Sequence, residues 1–228
     1  GGGAVLFARP SSRGRLRLAA IGDEHDAAGL VSTVVGQLPG PSTLTVPRAA
    51  VALLPPHLRP RRSDDWDWFW TAAPSPLQPG EDRVRWLEPS PEVEEELRAL
   101  LTSSSPRYSA EPGAADVLRW AGIRDDAGAL VACAAHLEHV PGVPHLASIA
   151  SRVDARRRGL GRAVTAWITR RLVEEAGIVT LGMYADNDVA RAMYGRLGYR
   201  EEHRFTSGRL SEVEVSSGAS GSAAARCR

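Results

Sequence analysis

The 228-residue sequence predicts an α/β (α+β) fold: a mixed, mostly antiparallel central sheet flanked by helices, with an extra α/β part at the N-terminus. Three observations predict it. Runs with strand character are interleaved with stretches whose apolar residues recur at helical spacing, first at residues 91–101 and again after residue 160. The turn signal Asp125-Asp126-Ala127-Gly128 joins two apolar runs and reads as a hairpin. A loop with two glycines at 156–161 leads out of an apolar run and into a helix.

The elements follow in chain order. Residues 15–21 read as a strand. Residues 24–38 carry Ala27, Leu30, Val31, Val34 and Val35 at helical spacing, broken by Leu38-Pro39-Gly40-Pro41. A short helix at 48–54 ends at Pro55-Pro56. In residues 64–72, alternation puts Trp66, Trp68 and Trp70 on one strand face and Asp65 and Asp67 on the other. That pattern fits a half-buried strand, and equally an aromatic wall of a pocket or a homodimer face. Residues 77–82 read as a linker.

Beyond it, residues 83–87 read as a strand and 91–101 as a helix, with Pro91 and the acidic Glu92, Glu94 and Glu95 suited to its first turn. Residues 103–113 form a flexible loop. Residues 117–124 and 130–139 are the two arms of the hairpin, and 146–153 a third strand. The next helix carries Leu160, Val164, Trp167, Ile168 and Leu172 on one face and stops at Ala176-Gly177. Residues 178–184 are a continuous apolar strand, as cover on both faces requires. Asn187 caps a helix with Ala190, Met193, Tyr194 and Leu197 in line. Residues 199–206 form a strand that pairs with 210–215, and the Ser/Ala/Gly-rich 216–228 reads as a disordered tail. The domain reading is therefore an N-terminal α/β part at 1–80, a main domain at 83–215, and the tail.

Composition narrows the function classes. The formal net charge is +1, which argues against a general nucleic-acid binder. Asp64, Asp65 and Asp67 beside the tryptophans would repel phosphates and argue against base stacking there. No apolar run is long enough to span a bilayer, and the opening Gly1-Gly2-Gly3-Ala4-Val5 has no charged n-region. The two cysteines, Cys133 and Cys227, sit in unlike contexts, so neither a disulfide framework nor a metal site is expected, and a reducing cytoplasm fits. All 28 basic residues are arginine, so the chain has no lysine of its own to acetylate.

The most specific stretch is Arg156-Arg157-Arg158-Gly159-Leu160-Gly161-Arg162-Ala163. Glycines at this spacing let the backbone turn sharply and approach a ligand. The helix behind them offers unpaired amides and the positive end of its dipole, an anion site suited to a pyrophosphate. It is not a Walker loop, since Gly-Lys-Ser/Thr is absent, and it lacks the spacing of the dinucleotide fingerprint.

This stretch resembles the Gln/Arg-x-x-Gly-x-Gly/Ala loop of the GNAT superfamily of N-acetyltransferases. Downstream, Asn187, Ala190, Tyr194, Gly198 and Tyr199 are spaced like that family's Asn-x-x-Ala-x-x-x-Tyr-x-x-x-Gly-Phe/Tyr segment. The two motifs stand in the family's order, one helix and one strand apart. The resemblance covers residues 83–215 and implies a GNAT fold. The N-terminal part would then be a degenerate copy of half that fold, as in the glycine-N-acyltransferase branch.

The resemblance also implies acetyl-CoA as co-substrate. Backbone amides of Arg157, Arg158, Gly159, Leu160, Gly161, Arg162 and Ala163 would grip its pyrophosphate, with the side chains of Arg156, Arg157, Arg158 and Arg162 adding charge. Ile149, Ala150 and Ser151 would pair with the amides of the pantetheine arm, in a slot where their strand splays from residues 178–184. Asn187 would contact the cofactor as well as cap its helix. Tyr194 matches the tyrosine that protonates the departing thiolate, and a phenol near its reference pKa of about 10 suits that work. For the base, Glu138 leads, with His136, His145 and Ser148 as further candidates and bulk water as another. Strand alternation puts His136 and Glu138 on one face and His139 on the other. The expected activity is acetyl transfer to the primary amine of a small molecule or amino acid; the alternative is a non-catalytic CoA-binding regulatory or interaction module. No nucleic acid or membrane partner is expected.

Overall fold

A computed structural model describes residues 3–10, 16–38 and 40–210. They fall into two compact units: residues up to Asp64 together with those from Thr206, and Asp65–Phe205.

In the smaller unit, β1 (Ala4–Pro10) pairs antiparallel with β2 (Leu16–Gly22). Helix α1 (Glu24–Val34) follows, capped by Asp23, whose side chain accepts from the amides of His25 and Asp26 at 2.9 and 3.2 Å. The chain returns as β3 (Pro41–Pro47), parallel to β2 with Leu18 opposite Leu44. The core of the unit holds Leu18, Val31, Leu44, Leu54 and Leu210. The sequence pattern does not announce β1 or β3. Strand β3 is bracketed by prolines, which read as breakers although a proline is tolerated at a strand's ends. Residues 48–53 form a 3-10 turn rather than an α-helix.

Strand β4 (Arg61–Thr71) carries the tryptophans, and within the larger unit Trp66 to Thr71 pair antiparallel with residues 179–184. The alternation is as expected, but the inward face is the one with Asp67, Phe69 and Thr71, while Trp66, Trp68 and Trp70 are half-buried. Asp67 tolerates complete burial because Arg191 and Glu201 complete an ion network around it.

The larger unit continues with β5 (Arg85–Leu87), α2 (Pro91–Ser104), β6 (Val117–Arg124), β7 (Leu130–Val140) and β8 (Val143–Ser151). It ends with α3 (Leu160–Ala176), β9 (Val179–Tyr184), α4 (Asp188–Arg196) and β10 (Arg200–Arg209). Its strand order is β10-β4-β9-β8-β7-β6-β5. Neighbours from β5 to β8 are antiparallel, as are β4 and β9, and β8 and β9 are parallel. This is the mixed, mostly antiparallel sheet that the sequence predicts. One face packs on α3 and α4 through Val164, Ile168, Leu172, Leu181 and Tyr194. The other packs on α2 through Leu97, Leu100 and Leu101 against Cys133, Ala135 and Ala147.

Residues 77–82 are not a spacer. Glu81 is only 8 % exposed; one of its carboxylate oxygens accepts from Arg170 on α3 at 3.1 Å and from the amide of Gln78 at 2.6 Å. The strand and tail expected beyond residue 210 lie outside the described residues.

Candidate active site

The site is built where β8 and β9 part. Their parallel ladder holds only two pairs, His145 with Thr180 and Leu146 with Leu181. Parallel strands normally continue such a ladder. Here Ala147–Ser151 and Gly182–Tyr184 form no ladder pairs with each other, a break in the sheet that can serve as a slot. The divergence has a visible cause in β8. Ser148 sits at φ +49°, a left-handed conformation rare for a side-chain-bearing residue. The β7–β8 register shifts at the same level, so the strand bulges. The side chain of Ser148 holds the distortion in place: Oγ accepts from the amides of Ser109 and Ala110 at 3.2 and 2.8 Å and donates to the Ala110 carbonyl at 3.2 Å.

Helix α3 starts at the open end of the slot. Gly159 is its N-cap at φ +79°, and no side chain caps the helix. Ala163 N bonds to Gly159 O, which leaves the amides of Leu160, Gly161 and Arg162 without intrahelical partners. Gly161 lies so near β8 that a Cβ there would stand 3.1 Å from Ser151 Oγ. Arg162 folds back over Gly159, and its Nε is buried without a hydrogen-bond partner among the described residues. A buried, unpaired guanidinium nitrogen beside free helix amides is chemistry suited to an anion. Arg157, at φ +62°, and Arg158 are exposed on the same loop. Arg156 is used differently: its guanidinium donates to the Ser104 carbonyl at 2.6 Å and ties the loop to the end of α2.

Ile149, Ala150 and Ser151 form the β8 wall of the slot. Ala150 and Ser151 pair with Cys133 and Ala132 on the far side, so their strand is anchored at its back. Asn187 caps α4, accepting from Ala190 N at 3.1 Å just past the end of β9. Tyr194 projects from α4 into the core at 5 % exposure, 6.2 Å from the Phe69 ring and 6.0 Å from that of Tyr199. Phe69 pairs with Leu181, the last ladder residue before the slot, so the tyrosine stands beside the point of divergence. Burial pushes its phenol above the usual range.

Across the mouth lies the segment after α2, which is less free than the loop the sequence suggested. Ser148 holds it to β8. Arg107 holds it to the other lip: it reaches both Asp186 oxygens at 2.9 Å and stacks 4.1 Å over the Tyr184 ring, whose hydroxyl donates to the Arg107 carbonyl.

The structure does not bring Glu138 to this place. It faces Pro144 at the closed end of the strand pair, and its Oε2 accepts from Gly142 N at 3.1 Å, closing the β7–β8 turn. His136 is buried on the α3 face, its Nδ1 accepting from Arg119 Nε at 3.2 Å. His145 sits in the ladder itself, one residue before the slot. Among the described residues no cluster of ligands for a metal ion occurs, and no helix is long and apolar enough to cross a membrane.

Residues 121–207 match the FR47-like protein family model. No curated protein matches the chain in sequence. Solved structures do. A GNAT-family protein from Novosphingobium aromaticivorans superposes with a TM-score of 0.60 at 22 % identity, covering 86 % of this chain and 84 % of its own. A GCN5-related N-acetyltransferase from Sphaerobacter thermophilus gives 0.61 at 16 %, covering 91 % and 76 %. Another from Kribbella flavida gives 0.57 at 20 %, covering 88 % and 83 %. At such identities the likeness speaks for the fold. Together with the match over residues 121–207, it gives this chain the fold of those GNAT structures.

Proposed function

We propose that the larger unit transfers an acetyl group from acetyl-CoA to the primary amine of a small molecule or amino acid, by direct attack of the amine. The observation that carries this reading is the break in the β8–β9 ladder after Leu146 and Leu181, with uncapped amides of α3 at its open end. An extended amide-bearing chain ending in a diphosphate is the ligand that such a slot and such a helix start would complete.

The residues present fit that co-substrate. The amides of Leu160, Gly161 and Arg162 and the unpaired Nε of Arg162 would hold the diphosphate, with Arg157 and Arg158 adding charge. Gly161 leaves room beside Ser151. The backbone of Ile149, Ala150 and Ser151 would pair with the arm, and Asn187 stands past the opposite strand. When bound, acetyl-CoA supplies an activated thioester.

The chain's own groups do the rest. Tyr194, kept protonated by burial, gives a proton to the departing sulfur. The slot walls orient the donor for attack. A dedicated base is not required where the amine gives its proton to water, and the reading does not lean on Glu138. Acceptors would enter past Arg107 and Tyr184.

Calorimetry with CoA and thiol release from acetyl-CoA over a broad amine panel test the reading. Micromolar CoA binding and saturable, amine-dependent thiol release are expected. Absence of CoA binding would overturn it.

A further inference from the structure

A second opening lies in the larger unit, away from the slot. A cavity of about 150 Å³ remains between the first two turns of α2, the end of β5, the start of β6 and the loop at Gly113. Leu87, Val93, Leu97, Leu118 and Trp120 supply apolar walls. Leu118 and Gly113 are exposed, so the cavity is reached from solvent on their side. In the sheet, β7 and β8 stand between β6 and the slot, which keeps the two places about 10 Å or more apart.

One wall is charged. Glu94 on α2 lines the cavity half-buried, and its carboxylate has neither a hydrogen bond nor an ion pair among the described residues. It lies against Gly113, which holds φ +83°: a Cβ there would stand 2.7 Å from Glu94 Oε2. Only a glycine leaves the carboxylate that place. The nearby cations are used elsewhere. Arg98, one turn on, donates to Glu95 at 2.8 Å and to the Pro112 carbonyl at 3.5 Å. Arg119 gives Nε to His136 at 3.2 Å, pairs with Glu175 and stacks 4.1 Å over the Trp86 ring. The helix dipole accounts for an acid at this end of α2. It does not supply the cation that a half-buried carboxylate against apolar walls lacks.

We propose that this cavity binds a compact primary ammonium ion with an apolar body, the ammonium on Glu94 and the body against Leu97 and Trp120. Volume sets the size limit, because an apolar hollow of this kind takes a benzene-sized group. Charge sets the class: an anion is repelled by Glu94, and a neutral molecule leaves the carboxylate unpaired. The site stands apart from the acyl-transfer reading. Nothing is transferred in it, and no bond is made or broken.

Benzylammonium is the probe, and benzyl alcohol its neutral match, with the whole chain at neutral pH and no acetyl-CoA present. Indole 15N–1H spectra should show the Trp120 signal shifting while those of Trp66, Trp68 and Trp70, which border β9, stay in place. Calorimetry should give benzylammonium a Kd at least about tenfold below that of benzyl alcohol. Glu94→Gln should weaken the ammonium by about tenfold and leave the alcohol unchanged. Ala114→Leu, which fills the hollow, should abolish binding of both. CoA affinity should be the same in both variants as in the wild type. Equal wild-type affinity for the two probes would overturn the proposal, and that comparison needs no variant to fold. Undiminished ammonium binding in Glu94→Gln or Ala114→Leu, or shifts at Trp66 or Trp68 without Trp120, would overturn it as well. Failure to bind CoA would sink the acyl-transfer reading and leave this site standing.

Discussion

Gly161 on α3 and Ser151 on β8 approach so closely that a Cβ at 161 would stand 3.1 Å from Ser151 Oγ. A serine hydroxyl can rotate away from one methyl, so Gly161→Ala should fold normally and bind CoA within about threefold of the wild type. Gly161→Val adds two branches that no rotation accommodates, and CoA binding should weaken by about tenfold or more. Isothermal calorimetry on both variants, with Ser151→Ala as the relieving partner, reads this directly.

Tyr194 contributes a ring to the core and, on the proposed reaction, a hydroxyl to the chemistry. Tyr194→Phe keeps the ring contacts with Phe69 and Tyr199. The melting temperature should hold and CoA affinity should change by less than about twofold, while kcat falls by about 10- to 100-fold. Burial raises the phenol's pKa, so its proton-donating form persists into alkali. The pH–rate profile should therefore show no alkaline loss from this group below about pH 10.

Asp67 is fully buried and meets Arg191, which also pairs with Glu201. Asp67→Ala leaves Arg191 with Glu201 alone and removes the carboxylate that the buried end of the network is built on. The loss should be about 2–4 kcal/mol of stability, seen as a lower urea midpoint with unchanged slope.

The Arg107–Asp186 pair is exposed on both sides, so its contribution to global stability is small. Its effect is local. Asp186→Asn should leave the melting temperature nearly unchanged yet speed tryptic cleavage after Arg107 and alter KM for the acceptor rather than for acetyl-CoA. Arg107 holds the Asp186 carboxyl below its ordinary value. A depressed carboxyl pKa stabilises the tie above the ordinary carboxylate range and loses it as pH falls through the folded value. The wild-type loop should accordingly become protease-sensitive only below about pH 4.

How far the sequence disclosed this arrangement varies from residue to residue. The loop from Arg156 to Ala163 and the cap at Asn187 were legible because glycine spacing and capping are local properties. Alternation along β4 was legible too, but not its direction. Which face turns inward depends on Arg191 arriving from α4, more than a hundred residues later. The bulge at Ser148 left no mark, since a serine in left-handed conformation is held by amides of a distant loop. Glu138 looked available because its partner, Gly142 N, is a backbone group that no side-chain pattern announces.

A sheet parted along its middle has two inner borders with hydrogen-bonding groups left over, where most sheets have such borders only at their rims. A guest lying in that seam would stitch the halves together as well as deliver its acyl group. Resistance to unfolding should then follow the supply of the guest: at a hundred times its Kd the gain would be about 2.7 kcal/mol. A cell depleted of the thioester would hold the protein in its most fragile form.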